Sequence, residues 1–112
     1  MSTAMIRYRT TPEAADENQR LIEDVFAELA AKTPDGLQYT SVRLADGVSF
    51  LHLVIGEGLT ELPAFREFQR DFGRRVVAAP ERTDVTVVGT YTGSFGATGS
   101  SQTEAAPEQK VL

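Results

Sequence analysis

His52 is the only histidine in the chain, and an imidazole titrating near neutrality is the side chain best suited to pass a proton at physiological pH. Three tyrosines, Tyr8, Tyr39 and Tyr91, carry hydroxyls able to orient a phenolic or carbonyl substrate. Arg7, Arg9 and Arg43 offer two-pronged guanidinium groups for a carboxylate or an enolate. If the chain performs a reaction, His52 is the expected acid/base group, and Tyr39, Arg43, Arg7 and Phe50 are the residues expected to hold the substrate. Each also has a plainer role. His52 can tie a hairpin to a subunit interface through Ser41, the tyrosine rings can serve as packing area, and the arginines can pair with acidic groups of a second subunit.

Several chemistries are excluded by residue types. The chain has no cysteine, so it forms no disulfide and offers no thiolate for zinc, iron–sulfur clusters or nucleophilic attack. One histidine, with no spacing that converges carboxylates on it, gives no metal site. Gly56-Glu57-Gly58 lacks the spacing and the strand-to-helix context of a nucleotide loop, so no cofactor is expected. A net charge of −5 opposes phosphate backbones and anionic bilayers, which removes nucleic acid and membranes from the expected partners. The longest apolar run, Phe50 to Ile55, is interrupted by His52 and falls far short of the roughly 20 residues that span a bilayer. The N-terminal Met-Ser-Thr-Ala-Met-Ile-Arg carries no secretory pattern, so the cytoplasm is the expected compartment.

The elements that must position these groups follow from periodicity. Thr3 to Thr10 alternates as a strand, and Thr11-Pro12-Glu13 supplies a capping hydroxyl, a proline suited to a first helical turn and an anion at the positive end of the helix dipole. Asn18, Ile22, Val25 and Leu29 then recur at helical spacing, widened by Leu21 and Phe26, until Pro34 and Asp35-Gly36 turn the chain. Leu37 to Ala45 and Val48 to Ile55 read as a hairpin closed by a two-residue Asp46-Gly47 turn. A second helix is expected from Pro63 to Pro80, with Phe65, Phe68, Phe72 and Val76 on one stripe. Arg74 and Arg75 suit the negative end of its dipole. Thr83 to Thr92 is the expected fourth strand. With 112 residues, the chain divides into one domain over 1–96 and a polar tail over 97–112 that is expected to add little stability.

The order β, α, β, β, α, β is that of a ferredoxin-like α+β fold, with an antiparallel sheet ordered four, one, three, two. Its two helices cover only one face of the sheet. The two-residue turn places Ala45 opposite Val48, Arg43 opposite Phe50, Ser41 opposite His52 and Tyr39 opposite Val54, all on one face. The other face carries Thr40, Val42, Leu44, Ser49, Leu51, Leu53 and Ile55, and its aliphatic character marks it as the helix-covered core. The mixed face with His52 is then too apolar for water, and a second copy of the chain is expected to cover it. A one-residue bulge would exchange the two faces.

The βαββαβ order, the Gly36-Leu37-Gln38-Tyr39 entry to strand two, the Phe50-Leu51-His52-Leu53-Val54 strand and the Phe-rich helix after it resemble the dimeric α/β-barrel superfamily, and within it the antibiotic-biosynthesis-monooxygenase-like group. The likeness covers Thr3 to Phe95. It implies two ferredoxin-like sheets packed face to face, with a ligand pocket in each subunit between sheet and helices. The group includes cofactor-free oxygenases of aromatic polyketides, haem-degrading enzymes, isomerases and members without known activity. Haem-degrading members are similar to one another in an Asn on strand one, a Trp on strand three and a His on helix two. This chain has no Trp, its histidine is on a strand and its only Asn is Asn18 on helix one, so neither that site nor the Trp and Asn pocket of the polyketide oxygenases is carried over. Two classes of function stand. One is a cofactor-independent monooxygenase-like enzyme for a small aromatic or ketonic metabolite, and the other is a non-catalytic dimer that binds a small ligand or supports another enzyme.

Overall fold

The computed structural model describes residues 3–93. Strand β1 runs over Thr3–Arg9, and the hydroxyl of Thr11 accepts the Ala14 amide at 3.2 Å to cap a short 3-10 turn, Pro12–Ala14. Helix α1, Ala15–Lys32, continues from it and ends at Thr33, whose backbone is left-handed. Its buried side chains are Ala15, Asn18, Leu21, Ile22 and Val25, the stripe that the spacing predicts. Strands β2, Leu37–Arg43, and β3, Ser49–Gly56, form the hairpin.

The expected register holds, with Arg43 opposite Phe50, Ser41 opposite His52 and Tyr39 opposite Val54. The turn is wider than expected. The Leu44 amide donates to Ser49 O at 2.8 Å and the Gly47 amide to Leu44 O at 2.9 Å, so four residues lie in the loop. Asp46 holds it by accepting the amides of Val48 and Ser49 and the Ser49 hydroxyl. Because these extra residues are shared equally between the two strands, the parity of the faces is unchanged.

The second helical region is not one rod. Helix α2, Pro63–Gln69, stops at Arg70, the backbone is left-handed at Asp71, and a single turn, α3, follows over Phe72–Arg75. The aromatic spacing survives this break because Phe65, Phe68 and Phe72 still face the sheet. Strand β4, Glu81–Asp84, is much shorter than the expected Thr83 to Thr92. It pairs with β1 up to Asp84 and Ala4, and the Val85 amide still reaches Thr3 O. Beyond it no described strand faces the chain, so Val88 and Tyr91 stand 97% and 92% exposed. Valine and threonine favour a pleated surface only where a neighbour exists to pair with. The sheet order is β2-β3-β1-β4, which is the expected order read from the other edge. The tail over 97–112 lies outside the described residues.

The expected assignment of the two sheet faces is reversed. The helices cover Tyr8, Phe50 and His52, with Ile6, Tyr39 and Val54 beside them, and the core is built from that side. Met5, Leu51, Leu53 and Ile55 lie on the other face, half-buried, with Val42 exposed. Counting aliphatic side chains misleads here because the polar tips on the mixed face bond to one another and to α1, which makes aromatic burial as favourable as an aliphatic layer.

One backbone contact fixes where the sheet meets the loop that follows. Gly56 has φ +100°, and a Cβ added there would lie 1.9 Å from the carbonyl oxygen of Gly36. Gly56→Ala should cost about 3 kcal/mol from strain and overpacking. Gly47→Ala, at φ +81° with open space around it, should cost only about 1 kcal/mol. Denaturant midpoints compare the two, and equal losses would show that the Gly36 contact is not limiting.

Candidate active site: a hydrogen-bonded aromatic cavity

Between the sheet and α2 lies a cavity of about 490 Å³. Tyr8, Tyr39 and His52 line its sheet side, Phe65, Phe68 and Phe72 its helix side, and the Gly56-Glu57-Gly58 loop and Arg82 its rim. The strand register generates this arrangement. Ile6 pairs with His52 and Tyr8 with Phe50, while Ser41 pairs with His52 from the other neighbour, so His52 has a ring on each side. Its ring stacks between Tyr8, centroids 5.3 Å apart, and Tyr39, at 5.7 Å.

Both imidazole nitrogens are engaged by protein. Nε2 lies 2.8 Å from the Tyr8 hydroxyl, and Nδ1 lies 2.7 Å from each of the hydroxyls of Tyr39 and Ser41. The Tyr8 oxygen also accepts the side-chain amide of Asn18 at 2.8 Å, and Asn18 Oδ1 accepts Nε of Arg75 at 3.0 Å. Six side chains from three strands, α1 and α3 thus form one connected polar network inside an aromatic shell.

Burial sets the electrostatics. It pushes the His52 imidazole down to about 4, so the ring is neutral at physiological pH. It pushes the Tyr39 phenol up to about 12 against the opposing hydrogen bond from Ser41, and raises Tyr8 further still, opposed by the Asn18 hydrogen bond. The site therefore presents neutral hydroxyls and a neutral imidazole. Among the described residues no three histidine or carboxylate side chains converge as metal ligands.

The expected site residues divide. His52 and Tyr39 line the cavity and touch each other. Phe50 is sealed in the core, stacked on Tyr8 with ring centroids 5.6 Å apart, and does not reach the cavity. Arg43 shares the face of His52 but sits at the hairpin end, bonded to Asp16, Gln19 and the Gly47 carbonyl. Arg7 is exposed on the opposite face. Ser41 bonds His52 as the hairpin register predicts. Tyr8, named for its hydroxyl but not among the residues expected to hold the substrate, joins them, as do Asn18 and Arg75, which had no expected role there. A buried asparagine within an apolar helical stripe is the signal that points to them, because such a group needs a partner. Arg75, assigned by sequence to the helix dipole, is 1% exposed and turned inward.

Compared by sequence, the chain matches no family model and no curated protein. Compared by structure, it is similar to Rv0793 from Mycobacterium tuberculosis, with a TM-score of 0.63 and 14% identity over 80% of this chain and 97% of that one. A second neighbour, an antibiotic biosynthesis monooxygenase, gives a TM-score of 0.63 and 14% identity over 80% of this chain and 100% of its own. SnoaB, a cofactor-independent oxygenase from Streptomyces nogalater, gives 0.56 and 17% identity, covering 79% and 93%. The chain has the fold of the antibiotic-biosynthesis-monooxygenase-like proteins. At such identities the likeness concerns fold, and the chemistry must be argued from this chain's own side chains. Among the described residues no helix is long and apolar enough to cross a membrane.

The neutral, buried His52 has a consequence for stability. Between the unfolded value of 6.5 and the folded value of about 4 the unfolded chain takes up a proton that the native chain refuses. Stability should therefore fall as pH is lowered through that window, by on the order of 3 kcal/mol in all, and be level above it. With one histidine in the chain, the slope between about pH 6.5 and pH 5, before carboxylates titrate, belongs to His52. Urea midpoints should show this slope in the native sequence and a nearly flat line for His52→Gln.

Proposed function

We propose that the chain is a cofactor-independent, monooxygenase-like enzyme acting on a small aromatic or ketonic metabolite bound in the cavity. The observation that carries this reading is the pairing of the Tyr8 and Tyr39 hydroxyls with His52 on one wall of a cavity whose other wall is phenylalanine. Aromatic walls select a planar ring, and the few polar groups are concentrated where a substrate oxygen would lie. The likeness in fold to a cofactor-independent oxygenase supports the same class.

Such a reaction needs no external electrons. When dioxygen converts a methylene beside a carbonyl or an aryl ring into a carbonyl, both C–H bonds break and a C=O bond forms. One oxygen atom stays in the product, and the other leaves as water with the two hydrogens. The substrate supplies all four electrons. The protein's part is to ease loss of the first proton by hydrogen-bonding the substrate oxygen as charge develops on it, which is the task of a hydroxyl aimed into an excluded site. That first proton leaves to water at the cavity rim, and His52, neutral and bonded to both phenols, holds their hydroxyls in position against the substrate oxygen.

The same reading includes a homodimer. Met5, Leu51, Leu53, Ile55 and Val42 form an apolar sheet face that no helix among the described residues covers, and water is a poor cover for it. Leu53→Glu should yield monomers in sedimentation while the native chain sediments as a dimer. A monodisperse native monomer at micromolar concentration would overturn the homodimer.

Oxygen uptake with an anthrone, whose methylene becomes a carbonyl, tests the enzyme. Tyr39→Phe keeps the ring stacked on Phe26 at 4.9 Å and should preserve the melting temperature. Turnover should drop about a hundredfold, the usual worth of a positioned proton-transfer or hydrogen-bonding group. Binding of the anthrone with no oxygen uptake would leave a ligand-binding protein in place of an oxygenase.

A further inference from the structure

Arg75 is 1% exposed, yet among the described residues its guanidinium forms no ion pair with a carboxylate. Its partners are neutral: the carbonyls of Phe68 at 2.5 Å and Arg70 at 3.2 Å, Asn18 Oδ1 at 3.0 Å, and the faces of Phe68 and Phe72 at 5.2 and 5.5 Å from the guanidinium carbon. Closing the end of α2 explains the two bonds to backbone carbonyls. It does not explain the third, which runs inward, away from the helix end, to a side chain that is itself fully buried. A buried cation is costly unless something compensates it.

The third bond fixes a direction. A guanidinium has no acceptor, so Asn18 must turn Oδ1 to Arg75 and its amide hydrogens to the Tyr8 oxygen. Tyr8 then accepts and has its own hydrogen to give. If that hydrogen goes to His52 Nε2, the ring carries its proton on Nδ1 and donates to the Tyr39 and Ser41 pair. With its proton there, Nδ1 has no lone pair for a hydroxyl hydrogen, so the Tyr39 hydrogen is left uncommitted. If the ring proton is on Nε2, the uncommitted hydrogen is that of Tyr8. Both tyrosines line the cavity. In either tautomer, therefore, a chain of donors begins at a buried cation and ends in a phenolic hydrogen with no acceptor in the network. Aligned bonds polarise one another, and the acceptor that suits such a terminus best is a charged oxygen.

We infer that the cavity takes its ligand as an anion, with a phenolate or enolate oxygen lying against the Tyr8 and Tyr39 hydroxyls, and that Arg75 and Asn18 are positioning residues that set this preference from behind the cavity wall. The inference rests on the reading of this cavity as the substrate site. It also accounts for the missing counter-ion, which the ligand supplies at a distance through two intervening side chains. The other charged groups near Arg75 are Glu17 on α1, Asp71 just before α3 and Arg74 within it, and those at the cavity rim are Glu57 and Arg82, the latter paired with Asp84. No carboxylate lies on the tyrosine wall to repel the anion.

Two probes of similar shape separate charge from shape: 4-nitrophenol, whose ionisation is read by its absorbance, and nitrobenzene, which has no proton to lose. The native protein should bind 4-nitrophenolate at least about tenfold more tightly than nitrobenzene, and bound 4-nitrophenol should ionise at lower pH than free 4-nitrophenol, as expected beside hydrogen-bond donors fed by a cation. Arg75→Gln and Asn18→Leu should abolish the preference and the shift while leaving nitrobenzene affinity within about twofold, a ratio that a general loss of packing would not move selectively. Should either variant fail to fold, the native protein alone decides, since equal affinity for the two probes with no shift in ionisation overturns the inference and leaves the cavity as an aromatic site. Binding of neither probe overturns the substrate-site reading and the inference with it.

Discussion

The Tyr8 hydroxyl sits where three demands meet. Strand β1 needs an aromatic ring there to pack against Phe50 and Phe72, α1 needs a partner for the fully buried Asn18, and His52 needs one for Nε2. A single oxygen meets the last two needs because a phenol both donates and accepts. Without it, two buried polar groups would be left unpaired at once, each at roughly 1 to 3 kcal/mol. The placement of α1 over the sheet and of α3 behind it follows from this contact, since Asn18 ties to Tyr8 on one side and to Arg75 on the other.

The same constraint opens space. Rings that stand upright on the sheet with their polar tips bonded sideways fill a layer without closing it, and Phe65, Phe68 and Phe72 approach from α2 and α3 as flat walls. Aliphatic side chains at these positions would interdigitate and leave no cavity. The break between α2 and α3 contributes as well. The carbonyls it frees at Phe68 and Arg70 give Arg75 two acceptors, and the turn through Asp71 brings its side chain inward instead of along an exposed helix. The polar network and the irregular backbone are thus one arrangement, in which the early end of α2 lets α3 supply the cation behind the cavity wall.

On the opposite face the aliphatic residues of β1 and β3 are half-buried and Val42 of β2 is exposed, and the valine-rich stretch after β4 finds no described strand to pair with. The sheet therefore buries its aromatic face under its own helices and turns its aliphatic face outward. The division is chemical: the face covered by the helices carries the polar groups that bond one another, and the opposite face carries side chains suited only to packing.

The order of elements, the Thr11-Pro12 helix start, the α1 stripe and the hairpin register were all legible in the sequence, because each rests on local rules of capping, period and turn residues. So was the partnership of Ser41 with His52, since residues opposite one another across a hairpin share a face. Which face the helices would cover was not legible. Alternation determines which residues go together but not which set is inward, and hydrophobicity favours the aliphatic set only if the polar tips of the other lack partners. Those partners are Asn18 at |i−j| = 10 from Tyr8 and Arg75 at |i−j| = 57 from Asn18, brought together by the crossing of α1 and α3 over the sheet. The helix break was hidden for a similar reason, as Phe65, Phe68 and Phe72 keep their spacing whether the backbone is continuous or not. The sequence by itself determined the fold class and the pairing around His52. Only the tertiary structure decided that this pairing lies inside, beside a cavity, because long-range hydrogen bonds, and not local preference, make its burial affordable.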